Sequence, residues 1–262
     1  MFDQRMINDV VRMTDRLLGA EEFKAYIRDF SDTVAHMYGN IDDPALMIVL
    51  NRALLLSIND GDGYETLVDL YMRMWAGIYD RSELFVDYNI MDYPEIKENN
   101  EFHDVRDEHL LRDIAIQWIE NDTNLRGISL KIFCLDITGW IDHIQGPEFR
   151  AVLARIRDCM RNNIVVFRIP AVDEMTLCRV KDAISWYINV DDVYCPPHSL
   201  DDYLKFGMNK LKKKDIELDE NACAVFRELI QQAQKDPYFW GFRTVNRIID
   251  DMMMSAMRGS CE

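Results

Sequence analysis

The sequence predicts an α/β fold in which five parallel strands are covered by helices and are followed by a small all-α unit. Between residues 50 and 197, short apolar runs that are typical of strands alternate with amphipathic stretches that are typical of helices. This alternation favours a parallel sheet with helices on its faces. After the two prolines that end the last run, residues 199–257 show only helical patterns. We therefore expect a core domain over residues 1–198 and a helical lid domain over residues 199–262.

Each strand prediction depends on a short apolar run that is bounded by polar residues or proline. The run "RALLLSI" is apolar at consecutive positions, which is typical of a strand buried on both faces of a parallel sheet. The run "SLKIFCLDI" gives the clearest strand pattern, and "VDDVYCPP" gives the weakest. The predicted strands cover residues 52–58, 83–90, 129–137, 162–170 and 190–197.

The helices are predicted from apolar residues that recur every three or four positions along one face. In the first of them, Phe23, Ile27, Phe30 and Val34 form such a face, and acidic residues lie at its start, where the helix dipole favours them. In the core, helices are predicted over 21–37, Leu67–Met74, Leu111–Trp118, Phe149–Met160 and Leu177–Tyr187, and a long loop over 91–106. In the lid domain, they are predicted over 200–213, 219–234 and 241–257.

The composition of the 262 residues limits the classes of function. Hydrophobic residues make up 48% of the chain, which is enough for a sizeable core. The formal net charge of −16 disfavours nucleic acid as a partner, and the basic run that contains Lys210 and Lys212 is typical of a helix C-terminus. No apolar run reaches the roughly 18 residues of a membrane span, and the N-terminus does not resemble a signal peptide. We therefore expect a soluble, cytoplasmic protein.

The cysteines and histidines do not form a metal-binding motif. No two cysteines form a CxxC pair, so we expect reduced and mostly buried thiols. The six cysteines are Cys134, Cys159, Cys178, Cys195, Cys223 and Cys261. The five histidines show no HExxH motif and no other spacing of metal ligands. We therefore do not expect a structural metal ion.

The segment "INDGDGYETL" has the layout of a phosphate-binding loop between the first predicted strand and the next helix. Glycines allow backbone N–H groups to converge on phosphate oxygens, and Gly61 and Gly63 are placed for that purpose. The N-terminus of the following helix, with Thr66 in its first turn, would face the anion. On its own, the segment is also typical of an ordinary turn between a strand and a helix.

The same segment lacks the side chains that bind the β- and γ-phosphates in such loops. Tyr64 stands where a lysine is expected, and Glu65 stands where a hydroxyl would bind magnesium. Ile58 replaces the first glycine, and Asp60 and Asp62 add negative charge where the phosphates would lie. Because a charge-assisted hydrogen bond contributes about 1.5–3 kcal/mol, we expect nucleotide affinity to be weak or absent.

Two further segments carry side chains that a nucleotide site could use. Asp136 ends the apolar run "KIFCLDIT" and could hold a magnesium ion through water, although an acid at the end of a strand is common in other proteins too. Arg243 opens the last predicted helix and could reach a γ-phosphate, with Arg247 one turn further on. Alternatively, both arginines are surface residues that balance Asp250 and Asp251.

The order of these segments resembles that of a P-loop ATPase of the AAA+ superfamily, with most similarity to the CbxX type that is related to red-type rubisco activases. The resemblance covers roughly residues 15–257. "LLGAEEFKAYIRDF" resembles the segment that packs near adenine, and "INDGDGYETL" resembles the Walker A loop. "KIFCLDI" resembles Walker B, "NNIVVFRIP" resembles the sensor-1 strand and "GFRTV" resembles the sensor-2 motif. The resemblance implies a five-stranded αβα P-loop NTPase-like core, a helical lid, ATP or ADP with Mg²⁺ as cofactors, and protein partners in a ring, often a hexamer.

The resemblance also implies a set of nucleotide-binding residues, with Asp136 as the metal-binding one. They are Gly19, Gly61, Gly63, Tyr64, Glu65, Thr66, Asp136 and Arg243. Beside the missing Walker A lysine, Ile137 replaces the Walker B glutamate, and the sensor-1 strand offers Arg168 in place of Asn or Thr. The general base that is absent with that glutamate normally contributes roughly 10²–10⁴-fold to a rate. Arg179 and Arg161 are the candidates for an arginine finger.

Three hypotheses about function follow from these residues. The first is a catalytically silent AAA+-like domain, a pseudo-ATPase that serves as an assembly or partner-binding subunit. The second is an active ATPase with unusual site residues, completed by a partner subunit, that remodels a protein. The third is an unrelated α/β protein that binds a metal ion at Asp60, Asp62 and Asp136. An AAA+-like site requires that Gly61, Asp136 and Arg243 converge on one cleft.

The segment "DPYFWGF", residues 236–242, places four aromatic residues close together. One interpretation is that these side chains pack the lid domain against the core. The alternative is a contact between subunits, where aromatic residues are enriched.

Overall fold

The computed structural model describes residues 3–37, 52–79, 85–90, 131–159 and 163–259. In chain order, the elements are α1 (Gln4–Thr14), α2 (Glu21–Met37), β1 (Ala53–Ser57), α3 (Tyr64–Ile78), β2 (Phe85–Ile90), β3 (Lys131–Asp136), a 3-10 helix (Thr138–His143), α4 (Pro147–Cys159), β4 (Asn163–Ile169), α5 (Glu174–Ser185), β5 (Val190–Tyr194), α6 (Leu200–Lys212), α7 (Glu220–Ala233) and α8 (Gly241–Gly259). The predicted loop over 91–106 and the helix predicted over Leu111–Trp118 lie outside the described residues.

The strands form one sheet in the order β2–β3–β4–β1–β5, and every adjacent pair is parallel. Strand β2 pairs with β3 at one edge of the sheet, and Val86 is the residue of β2 whose side chain the structure describes. The predicted α/β fold with a parallel sheet is therefore confirmed. The run predicted for the last strand extends past β5, which ends at Tyr194 although the run reached residue 197. Pro196 and Pro197 cannot donate the hydrogen bonds that would extend the pairing.

Both faces of the central strands β1 and β4 are buried, which explains why their sequences are largely apolar. In β1, Leu54 and Leu56 contribute to the apolar cluster that α1, α2 and α3 form on one face. Ala53 and Leu55 alternate with them and contribute to the cluster of the opposite face, where α4 and α5 pack. The side chains of β1 are fully buried on both sides.

Strands β1 and β4 are neighbours, but the chain leaves them toward opposite faces of the sheet. After β1 it forms α3 on one face, and after β4 it forms α5 on the other. Such a reversal of connections opens a cleft outside the carboxyl ends of the two strands, where α/β proteins commonly bind ligands. We call this place the crevice.

Helices α6, α7 and α8 pack around an apolar cluster of their own. Their bounds agree with the predicted helices to within two residues. Ser199 and Asp202 cap the start of α6 reciprocally, and Lys210 and Lys212 lie in its last turn, as the basic run predicted. The placement of a domain boundary between residues 198 and 199 stays a prediction.

The described cysteines are free thiols, but they are not mostly buried. Cys134 and Cys195 are buried, Cys223 is half-buried and Cys178 is exposed. The prediction is therefore wrong for Cys178, which lies on the face of α5 opposite to its buried residues. Burial raises the pKa of the Cys195 thiol to about 12. Among the described helices, none has the length and apolar character needed to cross a membrane.

Candidate functional site

The loop between β1 and α3 follows the backbone path that its glycines suggested. Gly61 and Gly63 both have positive φ angles, of 78° and 100°, which other residues adopt at a cost. Gly63 is the N-cap of α3, and the helix begins at Tyr64. Beside Gly63 there is open space, whereas Gly61 is in close contact with the backbone of Trp240 and Gly241 at the start of α8.

The backbone at the start of α8 lies directly on this loop. The N–H of Phe242 donates a hydrogen bond of 3.0 Å to the carbonyl oxygen of Gly61. A Cβ atom at Gly61 would overlap the carbonyl oxygen of Trp240, and a Cβ atom at Gly241 would overlap the Asp62 carboxylate. Glycine is therefore needed on both sides of the contact, because only glycine allows the two backbones to approach so closely.

Arg168 is the central side chain of the crevice. It is only 4% exposed, although it lies in the otherwise apolar strand β4. Its guanidinium donates to Asp136 at 2.5 Å and to the carbonyl oxygen of Ile58 at 3.1 Å. It also forms an ion pair of 2.9 Å with Asp60. Arg168 thereby joins the loop after β1 to the end of β3, through bonds that a buried cation requires.

Asp136 lies at the end of β3, as predicted, and both of its carboxylate oxygens accept hydrogen bonds. Oδ1 accepts from the backbone N–H of Thr138 at 3.0 Å and from its hydroxyl at 2.6 Å. Oδ2 accepts from Arg168. A magnesium ion would have to displace or share these donors. The metal-binding role of Asp136 stays a prediction.

The hypothesis of a metal ion held by Asp60, Asp62 and Asp136 is wrong. Within the described parts of the chain, no group of three or more His, Cys, Asp or Glu residues is arranged to hold a metal ion. Asp60 and Asp136 are paired with Arg168, while Asp62 accepts a hydrogen bond from a lid residue. Two of the three carboxylates are therefore already paired with the same cation, and the third is bonded to a residue of the lid.

Asp62 connects the loop to α6. The hydroxyl of Tyr203 donates a 2.7 Å hydrogen bond to the Asp62 carboxylate, which is 8% exposed. Burial raises the pKa of Asp62, and the bond from Tyr203 and the nearby His198 oppose that rise. Burial also raises the pKa of Tyr203, and the Asp62 carboxylate raises it further. This pair therefore holds the loop and the lid together through one shared, largely dry hydrogen bond.

Gly19 reaches the crevice through His198. It has a φ angle of 65°, and a Cβ atom there would lie 2.8 Å from the His198 ring. The centre of that ring lies 4.6 Å from the Phe242 ring and 5.8 Å from the Tyr203 ring. The turn before α2 and the lid therefore enclose the histidine from two sides.

Arg243 forms an ion pair with Glu65 in the first turn of α3. Both side chains are more than half exposed, and the pairing raises the pKa of Arg243. The alternative that Arg243 balances Asp250 and Asp251 is therefore not what the structure shows. Arg247 is exposed, one turn further along α8.

Tyr64 and Thr66 do not face the crevice as the sequence suggested. Tyr64 is half-buried and packs against the apolar cluster formed by α1, α2 and α3. Among the described residues that line the crevice, neither Tyr64 nor Thr66 is present. The helix starts at Tyr64, so its side chain turns back toward the core, while Thr66 is exposed to solvent.

Gly61, Asp136 and Arg243, which were expected to converge, lie near one end of the sheet, but none of the three lines the crevice itself. The crevice has a volume of about 430 Å³ and is lined by Asn59, Asp60, Arg168, Tyr203 and Trp240 among others. Gly61 contacts α8, Asp136 reaches the loop through Arg168, and Arg243 reaches it through Glu65. The roles of these residues in nucleotide binding stay predictions.

The sequence placed Arg168 at the sensor-1 position without assigning it a role, and it did not identify Tyr203 or His198 as residues of the site. The signal for Arg168 was present, because a charge inside a run such as "NIVVFRI" must find a partner when the strand is buried. No such signal marked Tyr203 or His198. Of the arginine-finger candidates, Arg179 lies on the exposed side of α5, while Arg161 lies outside the described residues.

The aromatic residues of "DPYFWGF" do not act as one group. Phe239 and Phe242 pack against the apolar cluster of the lid. Tyr238 and Trp240 are exposed, by 77% and 54%. Packing within the lid therefore accounts for half of the segment, and the backbones of Trp240 and Phe242 contact the core at Gly61.

No protein-family model and no curated protein matches this chain. Domain III of the Thermotoga maritima replication initiation protein DnaA is a similar solved structure, at 12% identity and a TM-score of 0.43, over 88% of this chain and 86% of that one. C. elegans PCH-2 is 11% identical over 90% of this chain and 70% of that one, with a TM-score of 0.43. The replication initiator DnaA bound to AMPPCP and single-stranded DNA is 13% identical over 88% of this chain, with a TM-score of 0.42.

This chain spans 62% of the length of that nucleotide-bound DnaA chain. At these identities and TM-scores, the likenesses carry no argument about what this chain binds or does. Any conclusion about function must therefore rest on the chain's own crevice and on the arrangement of its charges.

Proposed function

We propose that this chain is an AAA+-like pseudo-ATPase domain whose nucleotide site is closed by its own side chains, and that it acts as an assembly or partner-binding subunit. The order of the sequence segments that meet at the crevice supports the AAA+-like assignment. The observation that supports an inactive nucleotide site is the pairing of buried Arg168 with Asp136 and Asp60.

In this proposal, Arg168 takes the place that a cation bound with nucleotide would need. Asp136 is the residue that would hold magnesium, yet its Oδ2 atom accepts from the guanidinium at 2.5 Å. Arginine remains charged under all ordinary conditions, so it cannot release the carboxylate by losing a proton. Metal binding at Asp136 would therefore have to displace the buried guanidinium of Arg168 from Oδ2, which is unfavourable because a largely buried ion pair is broken.

The lid adds a second obstacle. A phosphate loop binds its anion through converging backbone N–H groups, so the loop must be open to the ligand. Here the backbone of α8 lies against Gly61, and Tyr203 holds Asp62. The carboxylates of Asp60, Asp62 and Glu65 also surround the place where phosphates would lie, and they would repel them.

The direct test is calorimetric titration of the purified protein with ATP and with ADP in the presence of Mg²⁺, together with a turnover assay. We expect binding to be absent or no tighter than about millimolar, which corresponds to roughly −4 kcal/mol. Hydrolysis should not exceed that of a protein-free control. Magnesium-dependent turnover by the pure protein would contradict the proposal and favour an active ATPase.

The variant Tyr64→Lys separates a missing lysine from a closed site. Tyr64 packs against the core and does not line the crevice, so we expect that lysine at this position alone does not restore affinity. The matched variant combines Tyr64→Lys with Arg168→Met, which frees Asp136. If Tyr64→Lys alone restored tight binding, the missing lysine rather than closure by Arg168 would explain the inactivity.

A further inference from the structure

A second cavity lies away from the crevice, along the outer side of α5, which is one of the two helices that cover one face of the sheet. It has a volume of about 660 Å³, and its walls come from α5, from α4 and from the turn after the 3-10 helix. Met175, Arg179 and Trp186 line it from α5 and the residue that ends that helix, and Arg150 lines it from α4. We call this cavity the α5 groove.

The groove exposes large apolar side chains to an unusual degree. Trp186 is 86% exposed and Met175 is 80% exposed, so they are the two most exposed large apolar side chains that the structure describes. The other side of α5 packs normally, with Leu177, Val180 and Ile184 buried against the sheet. Burial of α5 in the fold therefore does not need Trp186 or Met175. Tryptophan and methionine are enriched at the centres of protein interfaces.

The charge of the groove is opposite to that of the whole chain. Arg150 and Arg179 line it together with a single acid, Asp182. The formal net charge of the chain, in contrast, is −16. Arg179 is held against the wall by a 3.3 Å hydrogen bond to the carbonyl oxygen of Ile141. Because long-range repulsion is screened within about 8 Å at physiological ionic strength, a ligand in the groove experiences mainly Arg150, Arg179 and Asp182, whose formal charges leave one positive charge in excess.

We propose that the α5 groove binds an amphipathic helix of a partner protein, with apolar anchors on one side and acidic residues beside them. A helix that lies in a groove presents anchors at every third or fourth residue. Its anchors would contact Trp186 and Met175, and its carboxylates would pair with Arg150 and Arg179. The two exposed guanidinium groups favour acidic residues in the ligand, and a second copy of this chain is one of the outcomes that the test distinguishes. The proposal rests on the partner-binding role proposed above and specifies the partner's chemistry.

The test uses two synthetic helical peptides of about 16 residues, roughly 24 Å long, with the same leucine and phenylalanine anchors. The polar positions are glutamate in one peptide and lysine in the other. Fluorescence anisotropy at physiological ionic strength measures their binding to the full chain. We expect the glutamate peptide to bind at least about tenfold more tightly than the lysine peptide. Trp186→Ala and the double variant Arg150→Glu, Arg179→Glu should each weaken it at least about tenfold.

Tyr238→Ala and Arg247→Glu are the matched controls, since they change an exposed aromatic residue and an exposed arginine on the lid. These variants should bind the glutamate peptide as the wild type does. The proposal is overturned if neither peptide binds, if the lysine peptide binds as well or better, or if the groove and control variants behave alike. A concentration-dependent dimer that Trp186→Ala abolishes would show that a second copy occupies the groove, which also overturns it.

The outcome is separable from that for the crevice. Trp186 and Arg150 do not line the crevice, so their substitution leaves Arg168 and its partners in place. If the peptide fails to bind while nucleotide binding is also absent, the groove proposal fails and the silent nucleotide site stands. If the peptide binds and the protein also hydrolyses ATP, the groove proposal stands and the proposal of a silent nucleotide site fails.

Discussion

The crevice and the α5 groove differ in whether their arginine side chains are buried and bonded or exposed to solvent. In the crevice, Arg168 is buried and its guanidinium is bonded to Asp60, Asp136 and a backbone carbonyl. In the groove, Arg150 and Arg179 are exposed and lie beside an almost fully exposed Trp186. One region has its polar groups satisfied by the chain itself, while the other offers them to solvent.

This difference has a physical reason that bears on function. A buried polar group that loses its partner is costly, so a ligand that must replace internal bonds starts at a disadvantage. The exposed apolar and charged surface of the groove has a single long hydrogen bond of Arg179 among its described contacts, so little is lost when it is covered, and burial of its apolar area is favourable. The region whose sequence resembles a nucleotide site is thus the less available one. The region without a sequence motif is the more available one.

The largest expected effect comes from exchanging the same residue type in the two regions. Arg168→Met should lower the free energy of unfolding by about 3–5 kcal/mol, because it leaves the Asp136 carboxylate largely buried and without its cation. Arg179→Met should change it by less than about 1 kcal/mol, since Arg179 is exposed and donates one long hydrogen bond. Urea denaturation of both variants measures the difference.

A double variant checks the cause of that loss. Replacing both members of a buried ion pair by apolar residues of similar size is often neutral or stabilising. Arg168→Met combined with Asp136→Leu should therefore recover much of the stability that Arg168→Met loses. If the double variant were less stable than Arg168→Met alone, the ion pair would not be the reason for the loss.

The sequence predicted the sheet well because its signals are local. Continuous apolar runs such as β1 are required wherever a strand is covered on both faces, and the loop glycines are required by positive φ angles. The helices of the lid were equally clear from their apolar periodicity. These features depend on the conformation and burial of nearby residues, so a single chain segment is enough to reveal them.

The candidate site was predicted less well because its contacts join distant segments. Tyr203 and Asp62 are 141 residues apart in the chain, and Arg168 and Ile58 are 110 apart. The motif comparison also placed Tyr64 at a phosphate position, whereas its side chain packs in the core. A motif fixes the backbone path of a loop, but the direction of each side chain depends on packing that a motif does not contain.

A smaller effect is expected from the two loop glycines, which form a matched pair. Gly61→Ala should destabilise by about 3 kcal/mol, because a left-handed backbone costs roughly 1–2 kcal/mol and overlap with Trp240 adds about 1–3. Gly63→Ala should cost only the backbone part, about 1–2 kcal/mol, because its surroundings are open. Thermal unfolding distinguishes them, and equal losses would mean that the lid does not rest on the loop in solution.

The smallest expected effect is a pH-dependent one at the bond between the loop and the lid. Tyr203→Phe removes the donor to Asp62, whose pKa is already raised above 3.8 by burial, so the pKa of Asp62 should rise further. A group whose pKa is raised in the folded state contributes most to stability at a pH below its pKa in the unfolded chain. That contribution is lost as the pH rises through the pKa of the folded state. The variant should therefore lose about 1 kcal/mol at pH 7 and clearly less near pH 4. Urea denaturation at the two pH values measures this, and the same substitution in an Asp62→Asn background should show no such dependence. Equal losses at both pH values would mean that Tyr203 stabilises the lid by packing alone.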